Sequence, residues 1–284
     1  MKMALECLPC FLRQAFNELN GSDMDRDSSE KALREVLDMM SRHSYDVSPI
    51  DIAWKVHLIM EKNGGGEDPY LKLKKETTDA AKEHVDEVRK RIDSSGDRLR
   101  EAVIGSIAGN VVDYGAKNLL DLGETLEKAE RIGLTVDHYD EFKNGIARSD
   151  KLYFLLDNSG EVVLDMILME EIHRFDPDIE IKAVVKRDPI LNDVTEEDAV
   201  YAGMDQLEGV DIVKLPNPGW VERDFVGDLV REEGNMVISK GQGNFESLSN
   251  VCGVFFLFVA KCDHVANVVG VEVGDMILKY NIDP

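Results

Sequence analysis

The second half of the chain alternates between two sequence patterns, and this alternation restricts the fold more than any other feature. From Lys151 onward, short runs rich in β-branched and aromatic residues are each followed by a stretch with helical spacing. The runs are LYFLL, IEIKAVV, DIVKL, NMVIS and VFFLFVA. Strands that are apolar on both faces and separated by helices are typical of a parallel sheet covered by helices. We therefore expect a Rossmann-like three-layer αβα domain over residues 151–284, with a mainly parallel sheet.

The first 150 residues have a different pattern, in which apolar residues recur every three or four positions. SSEKALREVLDMMSRH and SPIDIAWKVHLIMEKN show this spacing, and Ser29 and Ser48 stand where an N-cap is expected. Longer helices are predicted over PYLKLKKETTDAAKEHVDEVRKRID and DRLREAVIGSIAGNVVDYGA. The whole chain is thus predicted to be α/β, with an all-helical part over residues 1–150.

The charge of the chain excludes some classes of partner. The sequence has 33 Lys and Arg against 56 Asp and Glu, a formal net charge of −23. Nucleic acids and anionic membranes are bound through clusters of Lys and Arg, so we expect neither as a partner. Glu6 and Arg13 interrupt the N-terminal segment, and the longest apolar run, VCGVFFLFVA, is too short to cross a bilayer. We expect a cytoplasmic protein, and the oligomeric state stays open.

Polar side chains follow the predicted strands where each strand ends. Asp157 and Asn158 follow the first strand, and Asn192 and Asp193 follow the second. Open parallel sheets bind ligands at the carboxyl ends of their strands. Carboxylate and amide oxygens are the hard ligands that Mg²⁺ and Mn²⁺ prefer. The sequence therefore indicates a metal site at this edge of the sheet, with the acids and amides at the strand ends as its candidate ligands.

The fourth predicted strand ends in a lysine beside glycines, SKGQGN, which contains Lys240, Gly241 and Gly243. A glycine-rich loop exposes backbone N–H groups, and together with a lysine it can hold a phosphate. A divalent metal beside an anion site is suited to phosphoryl transfer, because the metal can polarise the phosphoryl group or activate water. Each feature also has a structural interpretation as a turn or a helix cap, and TEED from Thr195 fits a capping box.

Other enzyme classes fit these segments less well. A phosphatase with a covalent aspartate requires DxD after its first strand, and here Ser159 occupies the position of the second acid. A methyltransferase or dehydrogenase would carry a glycine fingerprint such as GxGxxG at that place, and DNSGEVV lacks it. The histidines show no HExxH or other paired spacing, so we interpret them as surface or packing residues.

Cys7 and Cys10 form a CxxC within a helical pattern near the N-terminus. A zinc site would need two further ligands, and Cys252 and Cys262 are the other thiols of the chain. A thioredoxin-like motif is disfavoured because the CxxC does not follow a strand. Structural packing, a second metal site and redox chemistry all stay open for this pair.

Segments along nearly the whole chain resemble the domain of unknown function 89 family, the metal-dependent damage-control phosphatases. The resemblance rests on ECLPC, DPYLKLK, AGNVVDYG, LLDNSGEVVLD, VKRDPILNDVT, SKGQGNFESL and VAKCDHVA, which occur in that order. The CxxC is similar to that of the short archaeal and prokaryotic branch. This resemblance implies a helical part before a Rossmann-like domain, a bound divalent cation (Mn²⁺, Co²⁺, Ni²⁺ or Mg²⁺), and hydrolysis of small phosphate esters such as sugar phosphates or damaged metabolites.

The resemblance also implies roles for individual residues. Asp157, Asn158 and Asp193 match the family's metal-binding acid, amide and second acid, and Lys240 matches its phosphate-side lysine. The substrate-side residues would then be Asn110, Asp113, Asn192, Gly241 and Gly243. Because Asn110 and Asp113 lie in the helical part, we expect residues 1–150 to form one wall of the site.

The sequence thus predicts a metal-dependent phosphomonoesterase that uses a metal-activated water. Two alternatives stay open. One is an S-adenosylmethionine-dependent protein carboxyl methyltransferase, an activity proposed for a eukaryotic relative, although the missing glycine fingerprint counts against it. The other is a non-catalytic module that binds a metal or a nucleotide. The sequence assigns no general acid, and Asp113 is one candidate.

Overall fold

The computed structural model describes residues 1–64, 68–110 and 131–282. Within these ranges the chain forms twelve α-helices and a seven-stranded sheet. The helices are α1 (Cys7–Asn20), α2 (Arg26–Arg42), α3 (Pro49–Gly64), α4 (Leu71–Glu83), α5 (Val85–Ser94), α6 (Arg98–Gly109), α7 (Tyr139–Ile146), α8 (Val162–Phe175), α9 (Glu196–Ala202), α10 (Arg223–Arg231), α11 (Gln242–Leu248) and α12 (Asp263–Val269). None of these described helices combines the length and the hydropathy needed to cross a membrane.

The strands form one mainly parallel sheet in the order β1-β7-β6-β5-β2-β3-β4. They are β1 (Val136–Asp137), β2 (Lys151–Leu155), β3 (Glu180–Val185), β4 (Val210–Lys214), β5 (Asn235–Lys240), β6 (Val254–Val259) and β7 (Met276–Tyr280). Only the β6–β7 pair is antiparallel in the described sheet. Strands β3 and β4 extend the sheet on one side of β2, and β5 to β7 extend it on the other. The carboxyl ends of β2 and β5 therefore border the crevice in which sheets of this topology bind ligands.

Helices cover both faces of the sheet, as the alternation of patterns predicts. On one face Phe154 of β2 packs in a core that also contains Ile107 of α6 and Leu168 of α8. On the other face Phe256 of β6 packs against Phe245 of α11, with ring centroids 5.1 Å apart. The strands are buried from both sides, which explains why they read as continuous apolar runs.

The helical part of the chain packs in two ways. Helices α1 to α3 have a small core of their own, which includes Phe11, Val36 and Val56. Helices α4 to α6 instead contribute to the core on the sheet, through residues such as Val88 and Ile107. The division of the chain at residue 150 stays a prediction.

Several local predictions differ from the structure. The part expected to be entirely helical contains β1, whose two residues are too few to give an alternating pattern. The helix expected from residue 69 to 93 is two helices that meet at His84. Helix α2 begins earlier than expected, because Asp25 rather than Ser29 is its N-cap and accepts a hydrogen bond from the Ser28 N–H at 2.9 Å. The capping box predicted at Thr195 is confirmed.

Candidate active site

The segments after β2 and β3 are joined at the carboxyl edge of the sheet. Asn158 and Asp193 form an antiparallel bridge, and the Ser159 N–H donates to the Asn192 carbonyl at 2.9 Å. This pairing places Asp193 beside Asp157 and Asn158, although the sequence separates it from them by more than 30 residues. Their exposed fractions are only 6%, 7% and 2%. The three predicted metal ligands are thus brought together at the β2–β5 crevice.

Glu161 is a central acceptor at this site that sequence reasoning missed. Its carboxylate accepts from the Asn158 backbone N–H at 2.9 Å and from the Asn110 amide at 2.9 and 3.1 Å. The Asn110 amide also lies 3.2 Å from Oδ2 of Asp157. Asn110 directly follows α6 and is 1% exposed, so α6 does reach the site. Asp113, the other residue predicted there, lies outside the described residues. The sequence did contain a signal for Glu161. It stands three residues after Asn158 and directly before a predicted helix, a spacing at which a Glu side chain often accepts a hydrogen bond from the earlier residue's backbone N–H.

Lys240 lies at the predicted end of β5, but its ammonium group is enclosed. It donates to the Ser106 carbonyl at 2.9 Å, to Glu161 at 3.3 Å and to Asp165 at 2.5 Å, and it is 0% exposed. Burial alone lowers the pKa of Lys240, but the charges of Asp165 and Glu161 outweigh burial and raise the pKa above its ordinary value. An ammonium has three N–H donors, and each one here has a protein acceptor. This geometry disfavours direct contact between Lys240 and a phosphate. It indicates that Lys240 holds Glu161, which in turn holds the segment of Asp157 and Asn158.

A second buried lysine, Lys186, accompanies Asp193. Its ammonium lies 3.3 Å from Oδ2 of Asp193, donates to the Asn244 side chain at 3.1 Å and sits 5.0 Å from the centre of the Trp220 ring. Asn244 also donates to the Lys240 carbonyl at 2.9 Å, which ties this group to the end of β5. Lys186 is the last residue before the loop that carries Asp193, and its contacts fix one end of that loop.

A cavity of about 660 Å³ opens in front of these acids. Asp157, Asn158 and Asp193 line it, together with the predicted substrate-side residues Asn192 and Gly243. Among the described residues that line it, Lys261 is the one lysine or arginine, and it lies two residues after the end of β6. The backbone N–H of Lys261 donates to the Gln242 side chain at 2.8 Å, which anchors the segment. Lys261 is a second residue that the sequence assignment missed, although its place at a strand end was visible.

The wall opposite the strand ends comes partly from α1. Cys7, Cys10 and Phe11 line the cavity, and so does Cys262 at the start of α12. Burial raises the pKa of both the Cys7 and the Cys10 thiol, which disfavours a reactive thiolate. Within the described ranges, no three His, Cys, Asp or Glu side chains form a metal-binding arrangement. The role of Cys7 and Cys10 stays open.

The buried charges at the crevice fit a divalent cation. Among the residues that the structure describes, four carboxyl groups are buried there, those of Asp157, Glu161, Asp165 and Asp193, beside the buried lysines Lys186 and Lys240. If all are ionised, the group carries an excess of two negative charges, and buried charge of this kind is costly unless it is compensated. The side-chain oxygen of Asn110 is also buried and accepts no hydrogen bond from any described residue. Hard oxygen donors with this excess charge suit Mg²⁺, Mn²⁺ and similar ions.

Comparison with known proteins identifies relatives along the full chain. A protein of Methanocaldococcus jannaschii described as uncharacterized is 31% identical over 98% of this chain and 95% of its own length. A damage-control phosphatase of Archaeoglobus fulgidus is 31% identical over 98% of this chain and 99% of its own. A damage-control phosphatase of Pyrococcus horikoshii is 29% identical and covers 99% of both chains.

The fold comparison agrees with these relatives. The crystal structure of a DUF89 family protein from Pyrococcus horikoshii matches this structure with a TM-score of 0.86 at 27% sequence identity, covering 99% of each chain. This confirms the predicted fold class. A family model described as the damage-control phosphatase ARMT1-like domain matches residues 3–277. The resemblance drawn from the sequence motifs is therefore confirmed, and the chain belongs to the damage-control phosphatase ARMT1-like domain family.

Proposed function

We propose that this protein is a metal-dependent phosphatase that hydrolyses small phosphate monoesters, such as sugar phosphates or damaged phosphometabolites. Membership in a family of damage-control phosphatases supports the hydrolase class. The observation that carries metal dependence is the excess of buried negative charge at the cavity floor, where Asp157 and Asp193 lie side by side. A phosphate dianion would be repelled from such a surface unless a cation were bound between them.

Asp157, Asn158 and Asp193 would hold the cation, for which Mn²⁺, Co²⁺, Ni²⁺ and Mg²⁺ are the candidates. When bound, such an ion neutralises charge on a phosphoryl group and makes water a better nucleophile. Asn110 and Glu161 hold the Asp157 turn in place through the hydrogen bonds described above. Because these groups are buried, their orientation is fixed before a substrate arrives, which lowers the cost of reorganisation.

We assign phosphate orientation to Lys261 in place of Lys240. The proposal rests on position, since Lys261 lines the cavity and the ammonium of Lys240 is enclosed by Ser106, Glu161 and Asp165. Asn192 and Gly243 line the same cavity and would contact the ester on either side of the phosphate. A lysine at the cavity wall also supplies a local positive field on a protein whose net charge is −23.

The two parts of the chain would then share the site. Residues 151–284 would supply the cation ligands and Lys261. Residues 1–150 would line the cavity through the start of α1 and hold Asp157 through Asn110. The names of the relatives favour phosphate hydrolysis over methyl transfer. The non-catalytic alternative predicts metal binding without turnover, and the following experiment separates the two.

The test is a hydrolysis screen over phosphate esters, repeated with each candidate cation and with a chelator. We expect turnover that requires a divalent ion. The Asp193→Asn variant should lose both the bound ion, measured by elemental analysis, and hydrolysis. Asp188→Asn is the matched control, because Asp188 lies exposed on the same loop and does not line the cavity. Undiminished hydrolysis after complete metal removal, or a normal metal content in Asp193→Asn, would contradict the proposal.

A further inference from the structure

The loop between β3 and α9 carries Asn192 and Asp193 in a conformation that costs energy. Leu191, directly before them, has φ +49°, and it is the one non-glycine residue with positive φ among the described residues. For a bulky side chain this left-handed conformation costs about 1–2 kcal/mol, so the surrounding structure must hold it. Local strain of this kind is common where a chain must present a functional group in a set direction.

Two backbone contacts hold the second half of the loop. The Asp193 N–H donates to the Ile190 carbonyl at 3.0 Å, and the Asn192 carbonyl accepts from the Ser159 N–H at 2.9 Å. The first half is held from the helical part, because Nε2 of His57 on α3 lies 3.1 Å from the Pro189 carbonyl oxygen. The loop is therefore fixed between the sheet on one side and α3 on the other.

His57 is in turn paired with an acid on α1. Its Nδ1 lies 3.0 Å from Oε2 of Glu18, and the exposed fractions of the two residues are 3% and 1%. The other oxygen of Glu18 accepts from the Gln14 amide at 3.0 Å. The His57 ring also stacks on Trp54, with centroids 5.6 Å apart. These contacts leave the imidazole little freedom to turn away from Pro189.

The hydrogen-bond partners determine where the protons of His57 lie. A carbonyl oxygen only accepts, so Nε2 must carry a proton toward Pro189. Nδ1 faces a carboxylate, which is satisfied when the ring is an imidazolium and Glu18 is ionised. Burial alone lowers the pKa of His57, but the hydrogen bond and the charge of Glu18 outweigh burial and raise the pKa above its ordinary value.

A buried ion pair is a weak source of fold stability, because desolvation offsets most of its attraction. Apolar side chains would pack α1 against α3 at lower cost. The pair is instead aimed at the carbonyl two residues before strained Leu191. We propose that Glu18 and His57 are positioning residues that hold the 189–193 loop, and with it Asp193, in the geometry needed to bind the cation; this inference rests on the function proposed above.

The experiment compares variants of the pair with a control of similar burial. His57→Leu removes both hydrogen bonds, Glu18→Gln keeps the shape but removes the charge, and His57→Gln retains a side-chain N–H that can reach Pro189. Glu171→Gln is the control, since Glu171 is 6% exposed and paired with Arg98 at 2.6 Å, and it does not line the cavity. If His57→Leu fails to fold, Glu18→Gln replaces it as the variant that tests the role of the pair.

The measurements are hydrogen exchange in the metal-free proteins, Mn²⁺ affinity by calorimetry, and kcat and KM. In His57→Leu we expect faster exchange in a peptide covering residues 187–195, Mn²⁺ affinity about tenfold weaker, as is usual when groups that orient metal ligands are removed, and a lower kcat with a smaller change in KM. His57→Gln should restore part of each effect. The control should lower the Tm without changing exchange in this peptide or Mn²⁺ affinity.

Exchange in residues 187–195 that is unchanged in folded His57→Leu and Glu18→Gln would overturn the proposal. Faster exchange with wild-type Mn²⁺ affinity would also overturn it, because the loop would then not position the ligand. If the wild-type protein hydrolyses no ester, the proposed function fails, yet the exchange and Mn²⁺ measurements still decide the positioning role.

Discussion

The backbone of Gly241 lies directly against the carboxylate of Asp157. A Cβ added at Gly241 would lie 1.8 Å from Oδ2 of Asp157 and 2.2 Å from its Cγ, and Gly241 has φ +80°. No other residue fits at this position without displacing the carboxylate. The segment after β5 therefore determines where the acid after β2 can lie, and the two strand ends form one structural unit.

Replacing Gly241 with Ala should consequently abolish activity while the neighbouring glycine tolerates the same change. A Cβ at Gly243 would meet Ile50 at 3.3 Å and Trp220 at 3.4 Å, contacts that flexible side chains relieve by a small shift. We expect Gly241→Ala to lower kcat/KM at least a hundredfold and to weaken metal binding, and Gly243→Ala to change either by a few-fold. Equal activity in the two variants would show that the position of the Asp157 carboxylate is unimportant.

The two strand-end lysines should behave differently when each is changed to Met. Lys240→Met leaves Asp165 and Glu161 buried without their partner, so we expect the free energy of unfolding to fall by about 3–5 kcal/mol. Because Lys261 is only partly buried, Lys261→Met should lower stability less than Lys240→Met does. It should lower kcat/KM by about 10²- to 10³-fold, the usual effect of removing one electrostatic contact. Denaturant unfolding and steady-state kinetics on both variants check this. A stable, inactive Lys240→Met enzyme would return the phosphate role to Lys240.

Glu246, on the cavity wall, should make stability depend on pH. Burial raises the pKa of its carboxyl to about 7, against the opposing hydrogen bond from Gln242. The unfolded chain releases this proton near its ordinary pKa of 4.5, so the folded state is progressively disfavoured as the pH rises from about 4.5 to 7. Glu246→Gln removes the carboxyl group and therefore this loss of stability at higher pH. Because Glu246 keeps part of its surface exposed, we expect the variant to gain only about 1 kcal/mol at pH 8 and nothing at pH 4.5.

Urea unfolding of wild type, Glu246→Gln and the exposed control Glu233→Gln at both pH values measures this effect. An identical pH dependence in wild type and Glu246→Gln would mean that Glu246 titrates normally in the folded protein.

Leu191→Gly should separate loop conformation from loop contacts. Glycine adopts φ +49° without the steric cost that Leu191 bears, but it also increases the freedom of the unfolded chain. We expect a change in stability of less than about 1 kcal/mol from these opposing effects, with kcat retained. Leu191→Val is the contrasting variant, since a β-branched side chain disfavours this conformation strongly, and it should lower both stability and Mn²⁺ affinity. If Leu191→Val matches wild type in both measurements, the strain at this residue has no consequence.

Much of this architecture could be predicted from local sequence pattern. The runs around LYFLL and VFFLFVA predict buried parallel strands, because a strand that is buried on both faces is apolar at nearly every position. Strand β7 was not predicted, since no helical pattern follows its five residues in the sequence. It lies between β1 and β6, and its antiparallel pairing with β6 departs from the strand–helix alternation on which the prediction rests. The order of the strands in the sheet could not be predicted from local sequence pattern either. It depends on pairings between strands that are far apart in the chain, such as β2 with β5.

The sequence predicts which residues of the site lie at strand ends, but it does not predict the direction in which their side chains point. Asp157 and Asp193 follow neighbouring strands, so their approach follows from the fold. Lys240 and Lys261 also lie at the ends of neighbouring strands, and only the structure shows that the ammonium of Lys240 is enclosed whereas Lys261 lines the cavity. His57 has no motif, and its contact with Pro189 joins segments far apart in sequence. Such contacts are set by packing between distant helices and loops, which periodicity does not encode.

The pairing of β2 with β5 also has a kinetic consequence. Leu155 aligns with Ser239, so the crevice forms only after the chain has closed a loop of about 80 residues around β3 and β4. A cation held by the carboxylates at this crevice has no site in earlier, partly folded states. Such an ion should therefore slow unfolding in proportion to its concentration above Kd and leave the refolding rate unchanged, so that the bound metal prolongs the lifetime of the native state without guiding the chain toward it.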